Sequence, residues 1–129
     1  MPKDQLSDFI SRWNNRRRSS LTLLNSKKIK RIVSLLKEEN YIDFKVVDET
    51  VKSLNLIITK DHIKCMKQMS KQSRYVYKSY NDLLTDSKLK QNLGFYILTN
   101  SEWGWITSHG AISKKVGGKL ILWVGLFLD

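Results

Sequence analysis

The sequence predicts an α+β fold in which an N-terminal α-β-α-β-β unit packs against a mostly β C-terminal unit. Two stretches before residue 40 repeat apolar residues at the spacing of one helix face, which indicates amphipathic helices. The neighbouring segments are short apolar or alternating runs of the kind found in strands. No strong helical period returns after Asp61. We therefore expect a boundary near residues 60–68, with an N-terminal unit at 1–64 and a C-terminal unit at 65–129.

Two helices are predicted in the N-terminal unit. The apolar face of the first is made of Leu6, Phe9, Ile10 and Trp13. Asp4 is placed to cap the start of this helix. The apolar face of the second is made of Ile29, Ile32, Val33 and Leu36. Ser26 is a good N-cap for it, and Asn40 suits the left-handed position just beyond its end.

Strands complete both units. The N-terminal unit has a short buried strand at 21–24, a strand at 42–47, a turn at 48–50, and a strand in which Leu54, Leu56 and Ile58 alternate. In the C-terminal unit Asn81 caps a short helical turn through Leu84, and residues 108–115 form a short helix. The predicted strands of this unit are 65–69, 75–78, 93–99, 105–107 and 119–124, and polar turns occupy 70–74 and 100–104.

The charge of the chain suggests a polyanionic partner. There are 23 lysines and arginines against 12 aspartates and glutamates, which gives a formal net charge of +11. This balance favours nucleic acid first and an anionic membrane surface second. Residues 12–31 hold eight cations, Arg17 and Arg18 among them, and no acid, and a bound polyanion would relieve their mutual repulsion. The alternative is that this run only aids solubility. The candidate phosphate contacts are Arg12, Arg16, Lys27, Lys28 and Lys30.

Several classes of site are excluded or unsupported. One cysteine, Cys65, forbids an intrachain disulfide and multi-cysteine metal sites, and we expect it to be a small buried residue. We expect the two histidines, His62 and His109, to lie on the surface. The longest apolar run, residues 120–128, is too short to span a bilayer. Motifs for phosphate loops, zinc proteases and serine hydrolases are missing. We therefore predict no enzyme, no cofactor, no metal, no membrane partner and no small-molecule substrate.

The turns of the C-terminal unit favour RNA within the nucleic-acid class. They place small hydrogen-bonding residues beside cations and aromatic rings, as in Ser70 to Arg74 before Tyr75 and Tyr77, and in Thr99 to Ser101 before Trp103. Hydroxyl and amide groups bond ribose 2′-hydroxyls and base edges, and rings stack on unpaired bases. Ordinary turn chemistry is the alternative, because serine, asparagine and glycine are common in turns.

Short motifs, in order and at nearly constant spacing, carry a family resemblance over almost the whole chain. The matches in the first half are Asp4 to Arg12 followed by Asn14 (family D-P-I-A-D-M-L-T-R-I-R-N), Ser26 to Ile29 (S-K-L) and Leu35 to Ile42 (L-K-E-E-G-[FY]-I). Those in the second half are Ser70-Lys71 and Val76-Tyr77 at the ends of S-K-P-G-x-R-V-Y, Leu93-Gly94 and Ile97-Leu98 within G-L-G-I-A-I-L-S-T-S, and Thr107, Ala111, Gly117 and Gly118 at the spacing of the closing segment. On these motifs the chain resembles the bacterial-type small-subunit ribosomal protein number eight family.

The resemblance implies the same two-part fold and a structural role in the small ribosomal subunit. It implies binding to the central domain of small-subunit ribosomal RNA (rRNA) during assembly, with neighbouring ribosomal proteins as further partners. In the family the C-terminal unit makes most of the RNA contacts and faces an irregular RNA helix. Carried over residue by residue, the implied contacts are Ser70, Lys71, Arg74, Tyr77, Thr99, Asn100, Ser101, Gly117 and Gly118.

Departures from the family pattern fall on this same surface. Gln72 and Ser73 replace Pro-Gly, so that the loop loses a fixed φ and a permissive glycine. Glu102 stands where the family usually has a basic residue, Trp103 looks like a one-residue insertion, and Lys119 replaces a glutamate common in bacterial members. In the turn before them, Thr99 and Asn100 replace Ser-Thr. These changes predict an altered RNA target helix or a neighbouring protein that fills the gap.

Composition gives an expectation about origin. Lysine occurs 17 times and alanine once, a skew typical of AT-rich genomes. Together with the departures, this favours an organelle-encoded protein of the mitochondrial ribosome, made where it works, with a plastid or the bacterial cytoplasm as alternatives. The first functional alternative is a free regulator of translation that recognises a messenger-RNA mimic of the ribosomal site. Two others are a basic RNA-processing enzyme using His62 or His109, and membrane binding through residues 12–31 and 120–128.

Overall fold

The computed structural model describes residues 4–16 and 19–127, which fold as two compact units that divide between Ile63 and Lys64. Arg17 and Arg18 of the cationic run, and Leu128 of the apolar run, lie outside the described residues. The elements of the first unit are α1 (Gln5–Asn14), β1 (Ser20–Leu24), α2 (Lys27–Glu38), β2 (Ile42–Glu49) and β3 (Ser53–Asp61). Its three strands form an antiparallel sheet in the order β1-β3-β2.

Local signals explain the two helices of the first unit. Both predicted apolar faces are buried, and α2 buries Leu35 as well. The Asp4 carboxylate accepts a hydrogen bond from the backbone N–H of Leu6 at 3.1 Å, and the Ser26 hydroxyl accepts one from the N–H of Ile29 at 3.2 Å. Asn40, just beyond the end of α2, has a φ of +64°. The predicted caps and faces are therefore confirmed.

Two predictions in the first unit are wrong in detail. Strand β1 is half-buried rather than buried, because it alternates exposed residues with the buried Leu21 and Leu23. Asp48 and Glu49 do not form the turn but continue β2, paired with Asn55 and Leu54 after a bulge. Charged residues are common in edge strands such as β2, and in the sequence these acidic residues look like those of a turn. The turn instead spans residues 50–52.

The second unit is built around an antiparallel sheet in the order β4-β8-β6-β7, with β5 also paired to β8. Strand β4 begins at Ile63, at the division between the units. Strands β6 and β8 supply most of its buried side chains. The elements are β4 (Ile63–Gln68), β5 (Tyr77–Lys78), α3 (Tyr80–Thr85), α4 (Ser87–Lys90), β6 (Gly94–Asn100), β7 (Gly104–Thr107), α5 (Ser108–Lys114) and β8 (Gly118–Leu126).

Short elements account for the errors in the second unit. The strand predicted at 75–78 is only Tyr77–Lys78, and helix α4 was not predicted, because four residues are too few for a period to be visible. Ser79, not Asn81, caps α3, through a capping box with Asp82. Cys65 is exposed, not buried, since Ile63 and Met66 are the residues of β4 that enter the core.

One ion pair links the two ends of the first unit. Arg16, just beyond α1, donates a hydrogen bond to the carboxylate of Asp61 at the end of β3, and the two side chains are only 14% and 21% exposed. The guanidinium carbon also lies 4.8 Å from the centre of the Trp13 ring. Asp61 accepts a further hydrogen bond from the N–H of Ile63 at 2.9 Å. Arg16 is thus part of the framework of this unit.

Asp61→Asn should lower the free energy of unfolding by about 1–3 kcal/mol, because it leaves a largely buried guanidinium without its counter-charge. Urea denaturation of the full chain measures this difference. Glu38→Ala is the matched control, because it removes an exposed pair with Arg31 at 3.6 Å and should change stability by less than about 0.5 kcal/mol. Equal effects of the two substitutions would contradict a structural role for the Arg16 pair.

A second polar cluster holds β5 beside the helices of the second unit. The Asp86 carboxylate caps α4 and accepts hydrogen bonds from Lys78 at 3.0 Å and from the Tyr96 hydroxyl at 2.9 Å. Burial by itself would raise the pKa of Asp86, but the bonds from Lys78, the Leu89 N–H and Tyr96 hold that pKa below its ordinary value of 3.8. Burial and the neighbouring Asp86 raise the pKa of Tyr96.

Acid should remove the stabilisation that Asp86 provides. Because its pKa is lower in the folded chain than in the unfolded chain, the ionised group stabilises the fold above the unfolded value and stops doing so as pH falls through the folded value. Asp86→Asn should therefore cost about 1–3 kcal/mol at pH 7 and progressively less as the pH falls below 3.8, measured by urea denaturation. The exposed Glu102→Gln is the control, for which we expect little change at either pH. A loss that is independent of pH would refute this account.

Two glycines allow segments of the second unit to approach closely. A Cβ atom at Gly118 would lie 2.3 Å from the carbonyl oxygen of Thr99 in β6, and one at Gly117 would lie 2.2 Å from the carbonyl oxygen of Lys78. Such distances are far below van der Waals contact. Only glycine lets β8 begin at this distance from β5 and β6.

Gly118→Ala should destabilise the chain by about 1–3 kcal/mol or more, because backbone must move to admit the methyl group. Gly110→Ala is the matched control within α5, where the new Cβ would meet Thr107 Oγ1 at 3.5 Å, an ordinary contact. That substitution should stabilise the chain by about 0.5–1 kcal/mol through helix propensity. Thermal and urea unfolding compare the two. A harmless Gly118→Ala would show that the close approach is not required.

Candidate nucleic-acid interface

Three separate segments of the second unit meet around one open depression of about 440 Å³. Strand pairing brings them together, because Lys119 in β8 lies opposite Thr99 in β6 on one side and Tyr77 in β5 on the other. The depression is lined by Tyr77, Thr99, Asn100, Ser101, Gly118 and Lys119. Five of these six are predicted contacts, and Lys119 is a position at which the sequence departs from the family pattern.

The lining offers the groups that RNA recognition uses. Ser101 is exposed, Thr99 is partly exposed, and both carry hydroxyls able to bond a ribose 2′-hydroxyl or a base edge. The ring of Tyr77 is 66% exposed and available for stacking. The ammonium of Lys119 lies 4.5 Å from the centre of the Tyr75 ring, which holds a cation at the edge of the depression.

Asn100 differs from its neighbours because its side chain is engaged within the protein. Its amide nitrogen donates to the carbonyl of Gly117 at 2.7 Å, and its amide oxygen accepts from the N–H groups of Glu102 and Trp103 at 2.8 and 3.1 Å. The side chain thereby joins the β6–β7 turn to the segment before β8. Asn100 positions this surface, and Gly117 contributes a close approach and a carbonyl acceptor.

The loop between β4 and β5 is likewise held in its conformation by hydrogen bonds within the protein. Ser70 is buried, and its hydroxyl accepts a hydrogen bond from the N–H of Val76 at 2.8 Å. Lys71 and Arg74 exchange two backbone hydrogen bonds of 2.9 Å, which close a tight turn over Gln72 and Ser73 without proline or glycine. The side chains of Lys71 and Arg74 are exposed. Ser70 thus orders the loop, while the two cations lie on its surface.

In the folded chain the cations of residues 12–31 repel one another less than the sequence suggests, because several of them have acidic partners. Arg12 pairs with Asp8 at 2.8 Å and donates to the carbonyl of Thr22 at 3.1 Å, and Lys30 pairs with Glu49 at 3.2 Å. Arg16 and Arg31 also have acidic partners. Four of the eight cations of the run thus have an acidic partner, so their mutual repulsion is smaller than the sequence indicates, and contact of this run with phosphate stays a prediction.

Lys27 and Lys28 remain as the exposed cations of this run without an ion pair to any described residue. They lie in the first turn of α2. Of the five first-unit candidates they are the ones most available to phosphate. Arg12 and Lys30 would have to share their charge with a carboxylate, and the Arg16 guanidinium is mostly buried.

Sequence reasoning named Tyr75 and Trp103 as rings beside polar turns and Lys119 as a departure, but it missed Lys114 and the pairing of these rings with cations, which the fold brings about. Lys119 and Tyr75 form one cation–ring pair, and Lys114 over Trp103, at 4.4 Å, forms another. The substitution pattern at Lys119 and the insertion of Trp103 were the available signals. His62 and His109 are exposed, as expected. Within residues 4–16 and 19–127 no three His, Cys, Asp or Glu side chains group as metal ligands. No helix in that part of the chain is long and apolar enough to cross a bilayer.

Comparison with known proteins agrees with the fold and the motifs. The family model described as Ribosomal protein S8 matches residues 4–124. A protein named small ribosomal subunit protein uS8 from Legionella pneumophila is 34% identical over 128 residues, covering 92% of this chain and 95% of the relative. Proteins of the same name from Oleidesulfovibrio alaskensis and Buchnera aphidicola are 31% and 29% identical, covering 94% and 95% of this chain and 97% of each relative.

These relatives are bacterial. They give no support to the predicted mitochondrial location and are compatible with the bacterial alternative. The matched family is one of ribosomal proteins and not of enzymes. With a family match over residues 4–124, motifs in family order and the expected α-β-α-β-β and mostly β units, the chain belongs to the ribosomal protein S8 family.

Proposed function

We propose that this protein is a structural component of the small ribosomal subunit, where it binds the central domain of small-subunit rRNA and supports its assembly. The observation that carries this proposal is the depression of the second unit, where hydroxyls, an exposed ring and a cation from three segments converge. Membership of the ribosomal protein S8 family supports the ribosomal context. Its partners are this rRNA and the neighbouring ribosomal proteins, and its part in translation is structural.

Binding has a salt-dependent contribution from phosphate contacts. Residues 64–129 contain ten lysines and arginines and four acids, so the unit that holds the depression is strongly basic. Lys119 lines the depression, Lys71 and Arg74 are exposed on the loop between β4 and β5, and Lys27 and Lys28 are exposed in the first unit. Such contacts release counterions, position the protein on RNA and carry little sequence information.

A second contribution comes from shape and hydroxyl recognition. Ser101 and Thr99, which both carry hydroxyls, line the depression together with the exposed Tyr77. The wide, shallow minor groove of an RNA helix displays 2′-hydroxyls and base edges to groups of this kind. An irregular helix that fits the depression would therefore be preferred over a regular duplex.

A binding titration of the full chain tests this proposal. The probe is a transcript of the central-domain helix of small-subunit rRNA from the same organism, with an unrelated duplex of equal length as control, at about 50 and about 200 mM salt. We expect at least about tenfold preference for the rRNA helix, which corresponds to about 1.4 kcal/mol and persists at the higher salt. Equal affinity for both RNAs, lost as salt rises, would contradict specific recognition.

Two variants separate the contributions in the same experiment. Ser101→Ala should weaken binding to the rRNA helix about 2- to 10-fold and leave the duplex nearly unchanged, because it removes one recognition hydrogen bond. Lys27→Ala should weaken both about equally and lower the salt slope by about one. If the two variants behave alike, the division into recognition and phosphate surfaces is incorrect.

A further inference from the structure

Two departures from the family pattern meet in space. Counted from Ser70, the arginine of S-K-P-G-x-R-V-Y falls at Tyr75, and Lys119 stands where bacterial members commonly have a glutamate. The two positions are far apart in the chain, yet the Lys119 ammonium lies 4.5 Å from the centre of the Tyr75 ring. Two positions that carry opposite charges in the family pattern thus carry a ring and a cation here.

Strand pairing brings these two side chains together. Lys119 in β8 pairs with Tyr77 in β5. The N–H of Leu120 donates to the carbonyl of Val76 at 2.8 Å, so the segment before β5 continues alongside β8. Tyr75, two residues before the direct partner of Lys119, occupies a diagonal position from which an aromatic side chain reaches its cross-strand neighbour.

Each residue of this pair suits the other better than it suits the residue of the family pattern. The face of an aromatic ring carries partial negative charge, so it attracts an ammonium group and repels a carboxylate. A glutamate beside Tyr75 and an arginine beside Lys119 would therefore both be unfavourable. The two departures are best explained as one coupled change, in which a cation–ring contact takes the place of two opposite charges.

The coupled change alters the charge of the candidate interface. Lys119 lines the depression, whereas Tyr75 is not part of the lining. A glutamate at position 119 would give the depression a negative charge, and Lys119 gives it a positive one. A carboxylate repels a phosphate that an ammonium attracts, so the two residues favour RNA backbones that follow different courses past this position.

The ring of Tyr75 holds the ammonium without neutralising it. Lys119 forms no ion pair with any residue in the described part of the chain. By contrast Lys78, in the neighbouring strand β5, is paired with Asp86 at 3.0 Å. An ammonium group has three N–H donors, and a ring on one side of it leaves others for an acceptor. Lys119 therefore keeps its charge for a phosphate.

We propose that Tyr75 and Lys119 form a coupled pair that sets the RNA specificity of the depression; this rests on the proposed RNA-binding function. The ammonium held over the ring binds a phosphate of the target RNA where the glutamate of the family pattern would repel one. Tyr75 is a positioning residue in this pair, and Lys119 makes the contact.

A return to the family pattern tests the coupling first by stability. Tyr75→Arg and Lys119→Glu should each lower the midpoint of thermal unfolding by about 2–5 °C, because each leaves a mismatched neighbour. The double variant should regain most of the wild-type midpoint, because it pairs opposite charges again. Midpoint losses that simply add in the double variant would show that the two positions are not coupled.

Binding separates specificity from stability in the same variants. The RNAs are the central-domain rRNA helix of the same organism and the corresponding helix of a bacterium whose protein carries the arginine and the glutamate. The double variant should bind the first helix about 5- to 50-fold more weakly than wild type, with a salt slope lower by about one. Its affinity for the second helix should change little, so that the ratio of the two affinities falls.

Another lysine over a ring provides the matched control. Lys88 lies 5.3 Å from the centre of the Trp123 ring and does not line the depression. Lys88→Glu changes the net charge as much as Lys119→Glu does, and it should weaken binding to both helices alike. Should Lys119→Glu fail to fold, Lys119→Gln removes the charge alone and should weaken binding to the first helix about 2- to 10-fold.

The outcomes distinguish the pair from the function beneath it. A double variant that regains wild-type binding together with stability would show that the pair is only structural, and RNA binding would stand. Unchanged affinity of Lys119→Glu or Lys119→Gln for the first helix would also overturn the phosphate contact. If wild-type protein does not prefer the first helix over an unrelated duplex of equal length, the proposed function and the role of the pair are both overturned.

Discussion

The candidate interface depends on the close approach of β8 to β6. Gly118 lies beneath the carbonyl of Thr99 at a distance that admits no side chain, and Asn100 donates to the carbonyl of Gly117 at 2.7 Å. These contacts fix the β6–β7 turn against the start of β8. Ser101 and Lys119, which are 18 positions apart in the chain, line the same depression as a result.

The residues carried over from the family pattern divide into two groups by the use of their polar atoms. The side chains of Ser70 and Asn100 form hydrogen bonds with the backbone of neighbouring turns and therefore shape the surface. Thr99, Ser101 and Tyr77 line the depression and are partly or fully exposed. A motif residue near a binding surface is thus not always a contact, since a surface of turns also needs buried polar groups to hold its form.

The ion pairs of the cations in the first unit are not apparent from the one-sign run in the sequence. The stretch from Arg12 to Arg31 reads as a run of one sign, yet four of its cations pair with acids that lie outside it in the sequence. Asp61 and Glu49 reach it through β3 and β2. Charge patterning in sequence therefore overestimated the unpaired positive charge of the first unit, because Asp8 and Glu38 lie just outside the run and Asp61 and Glu49 reach it only through the fold.

The sequence by itself determined the features that arise from neighbours within a few residues. The buried faces of α1 and α2, their Asp4 and Ser26 caps and the left-handed Asn40 follow from helical spacing and backbone hydrogen bonding. It also supplied most of the residues that line the depression. Tertiary structure alone decided that Lys119 also lines the depression and that Arg16 forms an ion pair with Asp61. It also decided that the Lys114 ammonium lies over the Trp103 ring. Strand register and the packing of distant elements set those contacts, and no local pattern encodes them.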